Sequence, residues 1–324
     1  MFPIRDTIQS KNYSVVNYAL IATNIFIFLV QLTLRERLDR FIFTYGLVPG
    51  RYSIPEVAHF FTTGQQFFSF FSYMFIHGGF WHLIGNMWFL YIFGNSIEDR
   101  LGHLRYFLFY ILCGIASGVF HLIINWHSKM PTIGASGAIA GIMGAYFLLY
   151  PRARILTLIP IIIIPYFIEI PAFLFIGIWF LFQFINATGS SAHSGGIAWW
   201  AHIGGFLFGV IFLKMFMHLP ELSITKNLQG RTSRDKSHRL RVINTSGSSG
   251  DPHLYGTIDI TSKEALTGAR KMVNIPWGFH KRLFIVTIPP GIHNGALLKL
   301  PGMGKQIDEN KRGDIYLKVL IQTS

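Results

Sequence analysis

Two polar clusters lie inside otherwise apolar stretches, where polar side chains are costly and usually purposeful. The first is Gly134-Ala-Ser-Gly137, followed by Gly141 and Gly144. Ser136 falls where a loop enters an apolar run. That is an expected helix N-terminus, with free N–H groups and the positive end of the helix dipole. Such a place suits a nucleophile whose reaction develops an oxyanion. It suits equally a serine N-cap beside a glycine-rich packing face. The second cluster is Ala201-His-Ile-Gly-Gly205, with Gly209 four residues on. His202, Gly205 and Gly209 share one helical stripe, as do Gly137, Gly141 and Gly144. Two glycine stripes permit close backbone approach, so Ser136 and His202 can meet. A hydroxyl facing an imidazole is the minimum for an activated serine nucleophile. The alternative for His202 is a polar packing contact between helices.

His82 and Asn86 form a third element. They are four residues apart, hence on one helical face, and both can donate hydrogen bonds to a developing oxyanion. They could instead bond their own backbone at a helix start. No Asp or Glu falls near these groups within an expected helix, and Glu169 falls at the opposite end. The chemistry on offer is therefore a Ser–His dyad rather than a triad.

The elements that must position these groups are membrane helices. The chain is 51% hydrophobic and only 13% charged, which excludes disorder and coiled coil and argues against an ordinary soluble enzyme. Six spans are expected, at Val16–Thr33, His82–Ile97, Tyr106–Trp126, Ser136–Tyr150, Pro171–Ala187 and Ala198–Met217. Pro160, Pro165 and Pro171 interrupt the run Ile155–Ile185, so Ile155–Ile170 is expected as an interfacial segment. The first span is long enough to cross and no small-residue cleavage site follows it, so no cleavable signal is expected. One side of this arrangement carries thirteen Lys and Arg and the other five. The positive-inside rule then places both termini in the cytoplasm and the loop 34–81 outside. Ser136, His202, His82 and Asn86 all fall toward the external ends of their spans.

After residue 219 the composition changes. Residues 219–252 are basic and end in Thr245-Ser-Gly-Ser-Ser-Gly250, a flexible linker. From residue 253, strands are expected at Tyr255–Thr261, Met272–Pro276, Leu283–Pro289, Ala296–Pro301 and Asp314–Ile321, with a helical turn at Ser262–Leu266. The expected fold is an all-α polytopic membrane domain of six helices over 1–218, a linker over 219–252 and a small C-terminal all-β domain over 253–324. A single cysteine, Cys113, excludes a disulfide framework and a Cys-rich zinc site. The residue types suggest no metal and no cofactor. The net charge of +13 is explained by topology and anionic lipid, so nucleic acid is not an expected partner.

Together these residues resemble the rhomboid family of intramembrane serine proteases. The resemblance rests on Trp81-His82-x-x-x-Asn86, Glu98-Asp-Arg100, Gly134-x-Ser136-Gly137 and Ala201-His202-x-Gly204-Gly205. Residues 10–218 fit the six-helix core in order and spacing. The resemblance implies Ser136 as nucleophile and His202 as general base, with an oxyanion hole from His82, Asn86 and the Ser136 amide. It implies a structural ion cluster at Arg100 and Glu98, and a membrane-embedded first loop over 34–81. Where some rhomboids carry an aromatic that stacks on the histidine, this chain has Ala140. His202 must be held otherwise, and Trp199 or Trp200 is the expected support.

The C-terminal strands resemble the C-terminal β-domain of DnaJ-type co-chaperones. The motifs are Gly256-Thr-Ile-Asp-Ile-Thr, Ile288-Pro-Pro-Gly-Ile-x-x-Gly295, Leu300-x-Gly302-x-Gly304 and Arg312-Gly-Asp-Ile-Tyr316. No His-Pro-Asp signature or Cys-rich repeat accompanies them, so recruitment of an ATP-driven chaperone is not implied. The resemblance implies binding of cytoplasmic peptide segments or self-association.

The function expected is an intramembrane serine endopeptidase, cutting single-span membrane proteins near the external interface. The competing expectation is a non-catalytic rhomboid-like membrane chaperone or adaptor. The partners expected are transmembrane substrates and membrane lipid. The location expected is a bacterial inner membrane.

Overall fold

The computed structural model describes residues 2–8, 10–161, 164–189, 198–219, 232, 241–242, 251–277, 280–308 and 311–322. The chain divides into two compact units, Met1–Arg234 and Asp235–Ser324. Most of the expected linker 219–252 lies outside the described residues, as does most of the loop before residue 198.

The first unit is largely helical. Strand β1 spans Phe2–Asp6 and helix α1 Val15–Thr33, then come four short helices, α2 Leu38–Tyr45, α3 Gly50–Ser53, α4 Pro55–Ala58 and α5 Thr63–Ser72. The longer helices are α6 Phe80–Leu101, α7 His103–Ile124, α8 Ser136–Leu149, α9 Ala172–Gly189 and α10 Trp199–His218, with strands β2 Arg154–Ile161 and β3 Ile164–Pro171 between α8 and α9. Among the described residues, α1, α7, α9 and α10 are long and apolar enough to cross a membrane. Helix α6 is 22 residues long but ends in Glu98, Asp99 and Arg100, and α8 has only 14 residues.

Helix α8 is buried continuously from Gly137 to Tyr146. A helix apolar all round belongs in a core, and α6, α7, α9 and α10 pack about it. Its contact with α10 is backbone to backbone. A Cβ added at Gly205 would lie 2.0 Å from the Gly137 carbonyl oxygen, and one at Gly209 would lie 2.1 Å from that of Gly141. The two glycine stripes therefore face each other.

Glu98 accepts the backbone N–H groups of Val16 at 3.0 Å and Asn17 at 2.7 Å, and bonds His103 Nδ1. Asp99 accepts the N–H groups of Lys11 and Asn12. The first turn of α1 has N–H groups with no partner inside the helix, and the Glu98 carboxylate supplies one.

One expectation needs correction. The segment 155–170, expected only as interfacial, is an antiparallel hairpin, and β1 joins it to make the sheet β1-β2-β3. The membrane unit is therefore not all-α. Pro160 and Pro165 are incompatible with a helix interior, and the β-branched isoleucines favour strands. The loop 34–81 is built of the short helices α2 to α5 and their connections. Its short helices are tied by Arg51, whose guanidinium donates to the carbonyls of Phe43 and Gln65 and lies 3.8 Å from the centre of the Phe61 ring.

The second unit contains β4 Arg241–Val242, β5 Leu254–Thr261, α11 Ser262–Thr267, β6 Ala269–Trp277, β7 His280–Ile288, β8 Leu297–Leu300, β9 Gln306–Asp308, β10 Lys311–Arg312 and β11 Ile315–Gln322. Strand β11 runs parallel to β5 and antiparallel to β8, while β6 pairs β7 antiparallel and β4 parallel. Alternating residues of β5 and β11, including Ile258, Ile260, Leu317 and Val319, form its own apolar core with Val286 and Ile288. Thr261 and Glu264 cap α11 reciprocally.

Candidate functional site

Ser136 is the first residue of α8, and the chain leading to it is held from two sides. Leu47 and Thr132 exchange backbone hydrogen bonds of 3.0 and 2.8 Å, and the Gly134 N–H donates to the Tyr73 carbonyl at 2.9 Å. Gly134 has φ +123°, a backbone region that side chains avoid. A Cβ there would also lie 2.7 Å from His82 Nε2 and 3.6 Å from Asn86 Nδ2. Glycine at 134 thus lets the approach to Ser136 run directly over the His82 and Asn86 side chains.

The glycine contact between α8 and α10 sets the remaining geometry. His202 Nε2 lies 2.8 Å from Ser136 Oγ. Ser117 on α7 donates to the Ala201 carbonyl at 2.6 Å, fixing the first turn of α10. His82 Nδ1 accepts the Gly78 N–H at 3.3 Å. In the neutral ring the proton is then on Nε2, the nitrogen facing Gly134. Asn86 is buried, and its Nδ2 has no hydrogen-bond partner among the described residues. A buried amide N–H₂ without an acceptor is costly, and it is available to an acceptor that arrives during a reaction.

The four expected site residues line one cavity of 1180 Å³, with Trp179, Trp199 and Trp200 among its other walls. The structure brings Ser136 and His202 into hydrogen-bond contact and sets His82 and Asn86 beside the loop that precedes Ser136. Trp199 meets the His202 ring edge-on at 6.2 Å, and Trp200 lines the cavity without such a contact. Ala140 packs against Gly205, so a small residue there belongs to the helix contact.

Two residues of α9 were missed from sequence. Gln183 Oε1 lies 2.7 Å from His202 Nδ1, and the Trp179 ring lies against His202 with centroids 6.0 Å apart. The available signal was an amide at the centre of the apolar run of α9, buried in the structure where Asn186 nearer the helix end is not. No group of three His, Cys, Asp or Glu converges as a metal site among the described residues.

A helical bundle with several membrane-length helices, and a serine facing a histidine in a cavity, points to a class of integral membrane protein. Comparison with known proteins narrows the class. Residues 64–219 match the Rhomboid domain family and residues 248–324 the DnaJ C terminal domain family. Similar proteins include Rhomboid protein 1, mitochondrial, of Saccharomyces cerevisiae, 33% identical over 43% of this chain and 38% of that protein. RHOMBOID-like protein 5 of Arabidopsis thaliana is 28% identical over 44% of this chain and 43% of that protein. RHOMBOID-like protein 6, mitochondrial, of the same plant is 36% identical over 22% of this chain and 23% of that protein. The chain spans less than half the length of these relatives. Residues 64–219 are thus a Rhomboid domain and residues 248–324 a DnaJ C terminal domain. Relatives named as mitochondrial or chloroplastic give no support to a bacterial inner membrane. What stands is an integral membrane protein.

Proposed function

We propose that this chain is an intramembrane serine endopeptidase in which Ser136 and His202 form the catalytic dyad. The observation that carries the proposal is the 2.8 Å contact between Ser136 Oγ and His202 Nε2 at the head of a buried helix. In this mechanism Ser136 Oγ attacks the scissile carbonyl while its proton passes to His202 Nε2. The oxyanion is received by the unpartnered Asn86 Nδ2, by His82 Nε2–H and by the Ser136 amide at the positive end of α8. His202 then protonates the leaving amine, and water cleaves the acyl-enzyme by the reverse proton path.

Six spans are part of the proposal, with α6 and α8 crossing beside the four longer apolar helices. Helix α8 rises about 21 Å, against the roughly 30 Å of a bilayer core. Ser136 would then lie below the external surface, at the floor of a cavity that polar groups keep wet. The excess of Lys and Arg supports cytoplasmic termini. We place the peptidase in residues 1–218, a linker in 219–252 and a β-domain in 253–324, which holds cytoplasmic peptide segments or self-associates. Substrates are single-span membrane proteins cut near the external interface.

The test is cleavage of a generic single-span reporter by the purified full chain in bilayers. Wild type should cut, and Ser136→Ala and His202→Ala should each abolish both cleavage and labelling by a serine-directed fluorophosphonate. The two losses should not add, because the pair acts as a unit. The DnaJ C-terminal domain is the feature that favours the second reading, a membrane chaperone or adaptor. Equal behaviour of wild type and Ser136→Ala would decide for it.

A further inference from the structure

His202 can accept the Ser136 proton only if Nε2 carries a lone pair, so in the neutral ring the hydrogen must sit on Nδ1. Nδ1 is 2.7 Å from Gln183 Oε1. An amide can be turned either way, and only one orientation offers Nδ1 an acceptor. The partner on the other side settles which. Gln183 Nε2 lies 3.3 Å from the Trp179 carbonyl oxygen, which accepts a hydrogen bond and cannot donate one. Turning the amide would set two oxygens against each other and present N–H to Nδ1, forcing the hydrogen onto Nε2. Both residues of the pair are buried, Gln183 at 5% and His202 at 8% exposure.

We propose that Gln183 is a positioning residue that locks His202 in the tautomer competent to take the Ser136 proton. The inference rests on the peptidase reading of the site. During attack the Oγ–H proton moves to Nε2, and the Nδ1 hydrogen stays on the ring, bonded to Oε1 before and after. Gln183 gains and loses no proton. Its carbonyl dipole faces the positive charge that develops on the ring. A neutral amide does this beside apolar helices at a far smaller desolvation cost than a carboxylate. Ser136, His202 and Gln183 come from α8, α10 and α9, so α9 contributes a fixed hydrogen-bond acceptor as well as a wall. Trp179, one turn before Gln183, both orients the amide and packs on the His202 ring.

The experiment uses the full chain in bilayers, with Gln183→Met, Gln183→Glu and Ser136→Ala variants. Met keeps length and apolar fit but has no strong acceptor. Glu in its protonated form keeps both an acceptor for Nδ1–H and a donor for the Trp179 carbonyl. Gln183→Met should lower kcat about 10- to 100-fold, the loss expected when a buried donor is orphaned, with KM within about twofold. Gln183→Glu should recover most of it. Imidazole ¹⁵N spectra, with His202 assigned by difference from His202→Ala, should show Nδ1–H in wild type and Gln183→Glu and lose that preference in Gln183→Met. Unchanged kcat with retained Nδ1–H in Gln183→Met would overturn the proposal. Should Gln183→Met not fold, the wild-type spectrum decides alone, since an Nε2–H ring there would also overturn it. Reporter cleavage by Ser136→Ala would sink the peptidase reading, and the tautomer data would still decide the Gln183–His202 pairing.

Discussion

Replacing Gly205 by alanine should disable the site while leaving the fold largely intact, and the magnitude follows from one contact. The added Cβ would lie 2.0 Å from the Gly137 carbonyl oxygen and 3.3 Å from Ala140 Cβ. The first obstacle is backbone and cannot swing aside. Restoring ordinary contact at 3.4 Å requires the two helices to part by about 1.4 Å at that level. Gly137 follows Ser136, and Gly205 lies three residues after His202, so the displacement falls on the dyad. A contact of 2.8 Å would then stretch beyond hydrogen-bond range. A misplacement of about 1 Å costs on the order of 100-fold in rate.

Stability should change less. Overpacking costs about 1–3 kcal/mol, and replacing a mid-helix glycine by alanine returns about 0.5–1 kcal/mol. The control is Gly177→Ala on α9, where an added Cβ meets nothing within 4 Å. Fluorophosphonate labelling rates in bilayers, normalised to the folded fraction from tryptophan fluorescence melts, compare the three proteins. Gly177→Ala should label at the wild-type rate and Gly205→Ala roughly 100-fold slower. Labelling of Gly205→Ala within twofold of wild type would refute the claim that glycine contact sets the dyad distance.

Other perturbations isolate other parts. Asn86→Ala should lower kcat by about 100- to 1000-fold with KM and melting temperature little changed, and a wild-type kcat would make Asn86 a packing residue. Asp314 accepts the Gly302 N–H and pairs with Lys299, which hold its carboxyl below the ordinary 3.8. A lowered folded-state value gives stabilisation that is full above the unfolded pKa and lost as pH falls through the folded one. Circular-dichroism melts of a fragment carrying 251–324 should therefore decline in midpoint below about pH 4, and a rising midpoint would contradict the pairing. Reporter fusions after Gly189 should be external and those after Gly250 cytoplasmic, as thirteen against five basic residues require. An external position for the second would overturn the span count.

The long helices were legible because each is written locally. An apolar run, a glycine or proline at its end and a change in charge suffice, and α1, α7, α9 and α10 begin and end within three residues of their expected limits. The β1-β2-β3 sheet was not, because its evidence is non-local. Phe2–Asp6 is five residues of no marked pattern, and only pairing with 155–158 makes it a strand. The partners of Glu98 and Asp99 are likewise non-local. Glu98 meets backbone amides in the first turn of α1 and Asp99 those of Lys11 and Asn12 before it, and backbone partners have no signature in sequence.

The site shows the same division at finer scale. The approach of α8 and α10 could be foreseen, because a glycine stripe states how near another backbone can come, whichever helix supplies it. What holds the histidine could not. Gln183 precedes His202 by 19 residues on a different helix, and one amide in an apolar run reads equally as a bond to its own turn. Small residues declare their role by what they lack, which is a local property. A buried hydrogen-bonding group acquires its role from the partner it meets. The departure at Ala140 carried the missing clue. Without an aromatic there, the chain must hold the ring from another side, and α9 supplies both a ring, Trp179, and an acceptor, Gln183. A lone buried amide on a neighbouring helix is then the first residue to test whenever a serine–histidine pair lacks its usual support.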